Sequence, residues 1–305
     1  MLTNAHVHFD KNYSSADFCG QLFCLSAGNS EEWRDAAVFV RALNGADRSV
    51  DDVVSCAKAA SNACEDLPHR ICGIRGLVSA GIHPWTLVSG SVGATADVAE
   101  IAGAASIDAR LSWLVKLLEK NSSEVAAVGE CGIDLYSPEL RAVLPVQRYV
   151  FEKQMELAAR YEKPLIIHCR RSIQYFFEYA PRLKNLPSII FHAFPGTFSD
   201  CESLLRRGLN AFFSFGGSFA QKVEAAGDGA RSALPGVLIR GGRHAAECVE
   251  KLAADRLLFE TDAVNCASTL LPKVYDAAAA LRGVSVEELC AVCEKNFRRA
   301  FFVHP

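Results

Sequence analysis

Two histidines near the start of the chain, His6 and His8, have a spacing that suits metal binding. Their neighbours are apolar or small and favour an extended strand, on which side chains two positions apart point to the same side. On a helix the two side chains would diverge by about 200° and would not easily share an ion. The pair can therefore reach one divalent cation together. A pair does not close a metal site, so further ligands must come from later in the sequence.

Further histidines and acids stand where predicted strands end. They are Glu130, His168, His192 and Asp262. Imidazoles and carboxylates without thiolates suit Zn²⁺, Mn²⁺ or Mg²⁺, and the sequence does not choose among these ions. One ion would be satisfied by the histidine pair with Glu130 and Asp262, which leaves the other two histidines for a second ion. Glu130 can bridge the ions through its two oxygens, and such two-metal sites stabilise the attacking and leaving oxygens in phosphoester hydrolysis.

Short apolar segments alternate with helical patterns along the sequence. The segments predicted as strands are residues 4–9, 22–25, 76–82, 125–130, 164–168, 188–192, 211–215 and 256–262. Strands that alternate with helices form parallel βαβ units, and eight strands close a TIM-type (β/α)8 barrel. In such a barrel the carboxyl ends of the strands converge on one mouth, where the candidate ligands would meet. A doubly wound open sheet is the alternative, but no glycine-rich phosphate loop follows the first strand.

Helices and loops complete the predicted α/β architecture. Apolar periodicity and flanking residues predict helices over residues 31–43, 50–65, 107–120, 145–161 and 286–302. Residues 89–106 are rich in Gly, Ala and Ser and are predicted to form a loop or lid. Since no linker or internal repeat divides the sequence, we predict a single domain over residues 1–305 with slightly elaborated loops.

The composition is that of an ordinary globular protein, with 50% hydrophobic and 22% charged residues. A net charge of −3 argues against strong binding to long duplex DNA, although it is compatible with a locally basic cleft. There is no secretory signal or bilayer-spanning run, and the twelve cysteines are interpreted as reduced core residues of a cytoplasmic protein. Cys290 and Cys293 form a C-x-x-C motif without a partner pair, which favours packing on a helix face over a zinc or redox site.

An ordered set of short motifs resembles the TatD family of metal-dependent deoxyribonucleases. The motifs are His6-x-His8, Gly81-Ile82-His83-Pro84, Gly129-Glu130-Cys131-Gly132-Ile133-Asp134, Ile167-His168-Cys169-Arg170, His192-Ala193-Phe194-Pro195-Gly196 and Glu260-Thr261-Asp262. The resemblance extends from the first predicted strand to the last helix, where residues 296–302 look like the family's ending. It implies an amidohydrolase-like TIM barrel with two divalent metal ions that hydrolyses DNA phosphodiester bonds, often from the 3′ end.

The resemblance also implies roles for individual residues. One ion would be held by His6, His8, Glu130 and Asp262, and the other by Glu130, His168 and His192. Asp262 would also orient or deprotonate the attacking water, so Asp262 and Glu130 are expected to be catalytic as well as metal-binding. Arg170 is expected to contact a substrate phosphate, and His83 is expected to bind substrate. Glu260 would support a ligand, and it would point the same way as Asp262 if the strand stays extended.

The sequence departs from the family pattern at several positions. Asn4 stands where the family usually has Asp, Arg171 where an acid is common, and Val264 where Pro usually follows the Thr-Asp-Ala run. The segment over residues 216–256 is longer and richer in glycine than expected. None of these changes removes a ligand, so they bear on substrate preference and metal affinity more than on the chemistry.

Two other functions remain open from the sequence. One is an amidohydrolase-like hydrolase of a small phosphoester, amide or lactone, although many such enzymes carry a carboxylated lysine on the fourth strand, where this sequence has Glu130. The other is a partner-binding barrel that has lost catalysis, which the complete ligand set argues against.

The charge pattern favours DNA ends or single-stranded DNA as the partner over a wrapped duplex. The arginines near predicted loops are scattered: Arg170, Arg171, Arg240 and Arg243. We further expect no membrane association and a monomer or weak oligomer.

Overall fold

The computed structural model describes residues 1–8, 18, 21–45, 75–89, 100–101, 104–216, 242–262 and 267–302. Eight parallel strands form one sheet that curves into a nearly closed barrel, and each strand pairs with the next in chain order. The strands are β1 (Leu2–His8), β2 (Gln21–Ala27), β3 (Arg75–Ala80), β4 (Val125–Asp134), β5 (Leu165–Arg170), β6 (Ile189–His192), β7 (Ala211–Phe215) and β8 (Leu257–Phe259). The predicted TIM-barrel fold is confirmed.

Helices lie between the strands and after the last one. They are α1 (Ser30–Gly45), α2 (Ala104–Asn121), α3 (Pro138–Ala142), α4 (Leu144–Arg160), α5 (Ile173–Leu183), α6 (Phe198–Arg206), α7 (Gly242–Lys251), α8 (Ala267–Arg282) and α9 (Val286–Phe301). Four predicted helices are confirmed as α1, α2, α4 and α9, with small shifts at their ends. The helix predicted over residues 50–65 lies outside the described residues.

The barrel interior is filled by side chains from all eight strands. These include Ala5, Leu22, Leu77, Ala127, Ile166, Ile190, Phe212 and Leu258. Phe297 and Phe301 of α9 pack against this set, and the hydroxyl of Ser188, just before β6, donates a hydrogen bond to the Ala300 carbonyl. Helix α9 therefore covers the amino-terminal end of the barrel.

Two glycines shape the middle of β4. Gly129 and Gly132 have φ angles of 136° and 152°, a region that favours glycine. A Cβ atom at Gly132 would clash with the carbonyl oxygen of His168, and one at Gly129 would lie 2.6 Å from the carbonyl oxygen of Ile166. The backbone of β4 thus approaches β5 more closely than a side chain permits, and the pairing of the two strands shifts at this point.

The largest errors in the predicted strand ends, of four and three residues, are those of β4 and β8. β4 continues to Asp134 instead of ending at Glu130, because its pairing with β5 resumes after the glycine-dependent shift. β8 ends at Phe259, and Asp262 has a φ of 48°. The chain therefore turns before Asp262, and the prediction that Glu260 and Asp262 follow one extended strand fails for this reason.

Two predictions about segments outside the barrel have partial outcomes. In the region predicted as a loop or lid, residues 88–89 pair with residues 100–101 as a short antiparallel ribbon, and α2 begins at Ala104. Residues 90–99 and 102–103 of that lid, residues 217–241 of the glycine-rich segment, and Val264 lie outside the described residues.

The C-x-x-C motif lies on α9, as predicted, with Cys293 buried and Cys290 half-buried. Across the part of the chain that the structure describes, no helix is long and apolar enough to cross a membrane.

A pair of buried polar residues joins the first strand to the segment after the last. The Asn4 side-chain amide donates a hydrogen bond to Thr261 Oγ1 at 3.1 Å, and the Thr261 backbone N–H donates to Asn4 Oδ1 at 3.0 Å. The Asp262 N–H donates to the His6 carbonyl at 3.3 Å. Asn4, which stands where the family pattern has Asp, thus helps to close this seam of the barrel.

We expect Asn4→Ala to lower the free energy of unfolding by about 2–3 kcal/mol, because it removes two buried hydrogen bonds and leaves the Thr261 N–H unpaired. Urea-induced unfolding followed by circular dichroism measures the change. Asn185→Ala, at an exposed position after α5, is the control and should shift stability by less than about 0.5 kcal/mol. Equal stability of Asn4→Ala and the wild type would contradict the role of the seam.

Candidate metal centre

The histidines and acids singled out from the sequence come together at the carboxyl-terminal mouth of the barrel, because parallel strands direct all their carboxyl ends to one side. Their potential ligand atoms lie within 4.8 Å of one another in three overlapping groups. The groups are His6, His8 and Asp262; His6, Glu130 and His192; and His83, Glu130 and His168.

Glu130 belongs to two of the three groups, and its carboxylate also lies near the histidines of the third. Its Oε2 atom lies 3.2 Å from His6 Nε2 and 3.9 Å from His8 Nε2. Its Oε1 atom lies 2.6 Å from His168 Nδ1 and 3.0 Å from His192 Nε2. Each oxygen of this buried carboxylate therefore faces a different pair of histidines.

Asp262 lies at the outer side of the cluster. Its Oδ1 atom is 3.3 Å from His8 Nε2 and 3.9 Å from His6 Nε2. The Asp262 side chain is 39% exposed, whereas that of Glu130 is 3% exposed. Asp262 is thus the acid of the cluster that meets solvent at the mouth.

The unpaired buried atoms of the cluster fit a divalent cation. Both ring nitrogens of His6 and the Oε2 atom of Glu130 are buried, and none of them forms a hydrogen bond within the described residues. An unsatisfied buried polar group costs about 1–3 kcal/mol, and a divalent cation would accept a lone pair from one ring nitrogen of His6 and one from Glu130 Oε2. Nitrogen and oxygen donors together suit Zn²⁺, Mn²⁺ or Mg²⁺. The residues present therefore fit the metal chemistry expected from the sequence.

Electrostatic interactions keep both acids ionised. Burial alone would raise the pKa of Glu130, but the surrounding imidazoles, His192 foremost, hold that pKa well below its usual range. Burial would also raise the pKa of Asp262, but His192 and a hydrogen bond from His8 lower it to about 2. Burial would lower the pKa of His192, yet the nearby carboxylates, Glu130 foremost, raise it well above 6.5. Carboxylate–imidazolium pairs therefore balance the charge of the metal-free protein.

Two fully buried acids, Glu260 and Asp134, hydrogen-bond to the imidazoles of His192 and His168. His192 Nδ1 lies 3.0 Å from Glu260 Oε1, which also accepts a hydrogen bond from the Ala193 N–H at 2.8 Å. His168 Nε2 lies 3.0 Å from Asp134 Oδ2. A carboxylate on one ring nitrogen sets the tautomer, so the other nitrogen can present its lone pair to an ion.

Asp134 carries no predicted role, because β4 is predicted to end at Glu130. A signal was present in the sequence, since alternate residues of an extended strand line one face and the acids at 130 and 134 are an even number of positions apart. Extending the strand by its apolar neighbours Cys131 and Ile133 would have placed Asp134 in the mouth.

The two residues predicted to contact substrate occupy different places. His83 Nε2 lies 3.2 Å from His168 Nδ1 and 3.4 Å from Glu130 Oε1, so His83 stands among the candidate ligands. The Arg170 guanidinium lies outside the ligand groups, 3.8 Å from the centre of the Tyr136 ring. The substrate contacts of both residues stay predictions.

Comparison with known proteins identifies the family and agrees with the fold. The model of the family described as TatD related DNase matches residues 3–302. A protein from Erwinia billingiae named 3′-5′ ssDNA/RNA exonuclease TatD is 31% identical over 199 residues, which cover 59% of this chain and 67% of that protein. A protein of the same name from Pantoea ananatis is 30% identical over 238 residues, 73% of this chain and 76% of that protein.

A solved structure supports the fold alone. The crystal structure of a TatD homologue from Escherichia coli superposes with a TM-score of 0.66 at 19% identity. The superposition covers 99% of this chain and 98% of that chain, so the barrel and its flanking helices are shared over their whole length.

We expect metal binding to release protons at pH 7. The pKa of His192 is raised well above 6.5. Burial alone would lower the pKa of His168, but hydrogen bonds with Asp134 and Glu130 raise that pKa above its usual value. The His192 imidazole therefore carries a proton at both ring nitrogens in the metal-free protein, and one proton must leave when a ring nitrogen binds an ion. Metal affinity should accordingly increase as pH rises. Calorimetric titration with Mn²⁺ in two buffers of different ionisation enthalpy measures the number of protons released.

The control for this titration is His192→Asn, which should release fewer protons because it lacks the most strongly shifted imidazole of the cluster. An identical binding enthalpy in both buffers for the wild type would contradict the expectation.

Proposed function

The chain belongs to the TatD-related DNase family, and we propose that it removes nucleotides from the 3′ ends of single-stranded DNA with the help of divalent metal ions. Family membership makes it a hydrolase of phosphodiester bonds. The observation that carries the proposal is the position of Glu130, whose two oxygens face separate histidine pairs. A carboxylate placed in this way can bridge two metal ions, and two-metal sites stabilise the attacking and leaving oxygens of phosphoester hydrolysis.

The proposal assigns two ion sites to the cluster. The first would be formed by His6, His8, Asp262 and the Oε2 atom of Glu130, and the second by the Oε1 atom of Glu130, His168 and His192. Ions held there would supply Lewis-acid stabilisation of the phosphate and lower the pKa of water. The hydrogen bonds from Asp134 and Glu260 would keep His168 and His192 oriented for this purpose.

Three side chains are proposed to act on the substrate or the attacking water. Asp262 is ionised and partly exposed at the mouth, so its carboxylate can orient the water and accept a proton from it. His83 is proposed to donate a hydrogen bond to a substrate oxygen. Arg170 at the rim is proposed to bind a phosphate, since a guanidinium matches the geometry of phosphate oxygens.

The proposed substrate class and cellular location of the protein are supported by further observations. Two relatives carry the name 3′-5′ ssDNA/RNA exonuclease, which supports single-stranded nucleic acid as the substrate class. A net charge of −3 favours short ends over wrapped duplex DNA. A cytoplasmic location is supported by the seven free cysteines among the described residues. A monomer or weak oligomer stays a prediction.

We expect the protein to shorten a 5′-labelled single-stranded oligonucleotide stepwise from its 3′ end in Mg²⁺ or Mn²⁺, with no cleavage in EDTA. Asp262→Asn should lower kcat by about 10²–10⁴-fold, because the amide cannot accept the proton of the attacking water. Gel analysis of the labelled products measures both effects.

Turnover by Asp262→Asn equal to that of the wild type would remove the role assigned to Asp262. No cleavage by a wild-type protein that retains metal by elemental analysis would move the substrate to a small phosphoester, amide or lactone.

We expect Glu130→Gln to reduce the amount of bound Mn²⁺ at both proposed sites, because the amide loses one of the two oxygens that face the histidine pairs. His8→Ala should reduce binding at the first site alone. Metal content after gel filtration, measured by atomic emission, gives the number of ions per chain. Glu178→Gln, at a side chain that is 55% exposed, is the matched control. Unchanged metal content in Glu130→Gln would overturn the bridging role.

A further inference from the structure

We propose that Trp85 and Tyr136 form a stacking site for an unpaired base at the end of the nucleic acid, next to the metal centre. These two residues are called the aromatic rim below. The inference rests on the proposed function, and it adds the feature that would distinguish a single-stranded end from a paired one.

Six large apolar or aromatic side chains are at least 40% exposed in the described ranges of the chain. They are Val38, Trp85, Tyr136, Tyr149, Val284 and Phe302. Of this set, Trp85 and Tyr136 are the two that hydrogen-bond to Asp134, the acid behind His168. Exposed aromatic rings beside a nuclease centre are candidates for stacking on bases, because every base has a π-face.

The aromatic rim is held in place by one buried carboxylate. The Trp85 indole N–H donates to Asp134 Oδ2 at 2.7 Å, and the Tyr136 backbone N–H donates to Asp134 Oδ1 at 2.7 Å. The same Oδ2 atom lies 3.0 Å from His168 Nε2. One side chain therefore fixes the Trp85 ring and the Tyr136 backbone relative to a candidate metal ligand. Such fixing reduces the entropy lost when a base stacks.

Trp85 is close enough to the centre to meet the nucleotide that reacts there. The centre of its ring lies 5.2 Å from that of His83 and 6.4 Å from that of His168. Both histidines meet Trp85 at steep interplanar angles of 89° and 72°. A base attached to a phosphate at the histidine cluster would therefore come within reach of the exposed indole.

Tyr136 brings positive charge to the same rim. The Arg170 guanidinium lies 3.8 Å from the centre of the Tyr136 ring, and that of Arg171 lies 4.7 Å from it. Arg141 and Arg171 also donate hydrogen bonds to the Tyr136 carbonyl, at 3.1 Å and 3.4 Å. A stacked base beside these guanidinium groups would place its phosphates near compensating charge.

The aromatic rim predicts a requirement for an unpaired base without a requirement for its identity. In a duplex the terminal base is already stacked and paired, so it must be released before it can reach Trp85. Stacking tolerates all four bases, because it uses the ring faces and not the hydrogen-bonding edges.

The test compares variants on two substrates: a single-stranded oligonucleotide, and the same oligonucleotide with abasic nucleotides at its 3′ end. Trp85→Leu and Tyr136→Leu should each raise KM for the normal oligonucleotide by between about 5-fold and 100-fold. The wild type should show a similar increase in KM when the normal oligonucleotide is replaced by the abasic one. On the abasic oligonucleotide, the KM values of the variants should differ little from that of the wild type. Trp85→Phe should restore most of the affinity, because it keeps an aromatic ring.

Tyr149→Leu is the matched control, because Tyr149 is 47% exposed like Tyr136 and also has a cation near its ring, Lys153 Nζ at 5.9 Å. Its KM values should equal those of the wild type. A loss of activity that is equal on normal and abasic substrates would show that Trp85 acts on the metal centre through Asp134, and it would overturn the stacking proposal. Unchanged KM in Trp85→Leu would overturn it as well.

The outcome also separates this inference from the proposed function. If the wild type cleaves no oligonucleotide, the proposed function fails. The stacking proposal is then tested by equilibrium binding: fluorescence anisotropy in Mn²⁺ measures the affinity of the wild type and of Trp85→Leu for each of the two oligonucleotides. Tighter binding of the normal oligonucleotide by the wild type alone would support the aromatic rim, and equal binding of both would contradict it.

Discussion

One buried carboxylate, that of Glu130, constrains the whole mouth of the barrel. Its two oxygens face His6 on one side and His168 and His192 on the other. A charge that is removed from water must be balanced by opposite charge or by a metal ion. The strands that carry these histidines must therefore end around Glu130, and the two glycines in β4 allow the close strand approach that this requires.

The eight strands and the convergence of the candidate ligands could be predicted because both leave local signals. A parallel strand buried on both faces is a continuous apolar run, and most of the candidate ligands stand directly at the end of such a run. The turn before Asp262 leaves no such signal, and the true end of β4 leaves only the even spacing of its two acids, Glu130 and Asp134. The continuation of β4 depends on backbone pairing with β5. The position of Asp262 depends in part on the hydrogen bond that its backbone N–H donates to the His6 carbonyl on the first strand. Contacts between residues so distant in sequence decide these details.

The carboxylates behind the histidines connect the centre to its surroundings. Glu260 ties His192 to the backbone after β6, and Asp134 ties His168 to the indole of Trp85. Substitution of either acid would therefore alter both the orientation of an imidazole and the position of the second group that the acid binds. This explains why the roles of Asp134 and Trp85 depend on the three-dimensional structure, whereas His168 could be identified from its place at the end of an apolar run.

The seam between Asn4 and Thr261 has a consequence for protein synthesis. The ribosome delivers His6 and His8 first, and Asp262 follows only after all eight strands have been translated. Until then Asn4 lacks its hydrogen-bond partner Thr261, and the cluster lacks one of its acids. A nascent chain, or a fragment that stops short of Thr261, therefore lacks both this seam and one of the candidate ligands of the centre, so the full set of ligands comes together only once the last strand and the segment after it are in place.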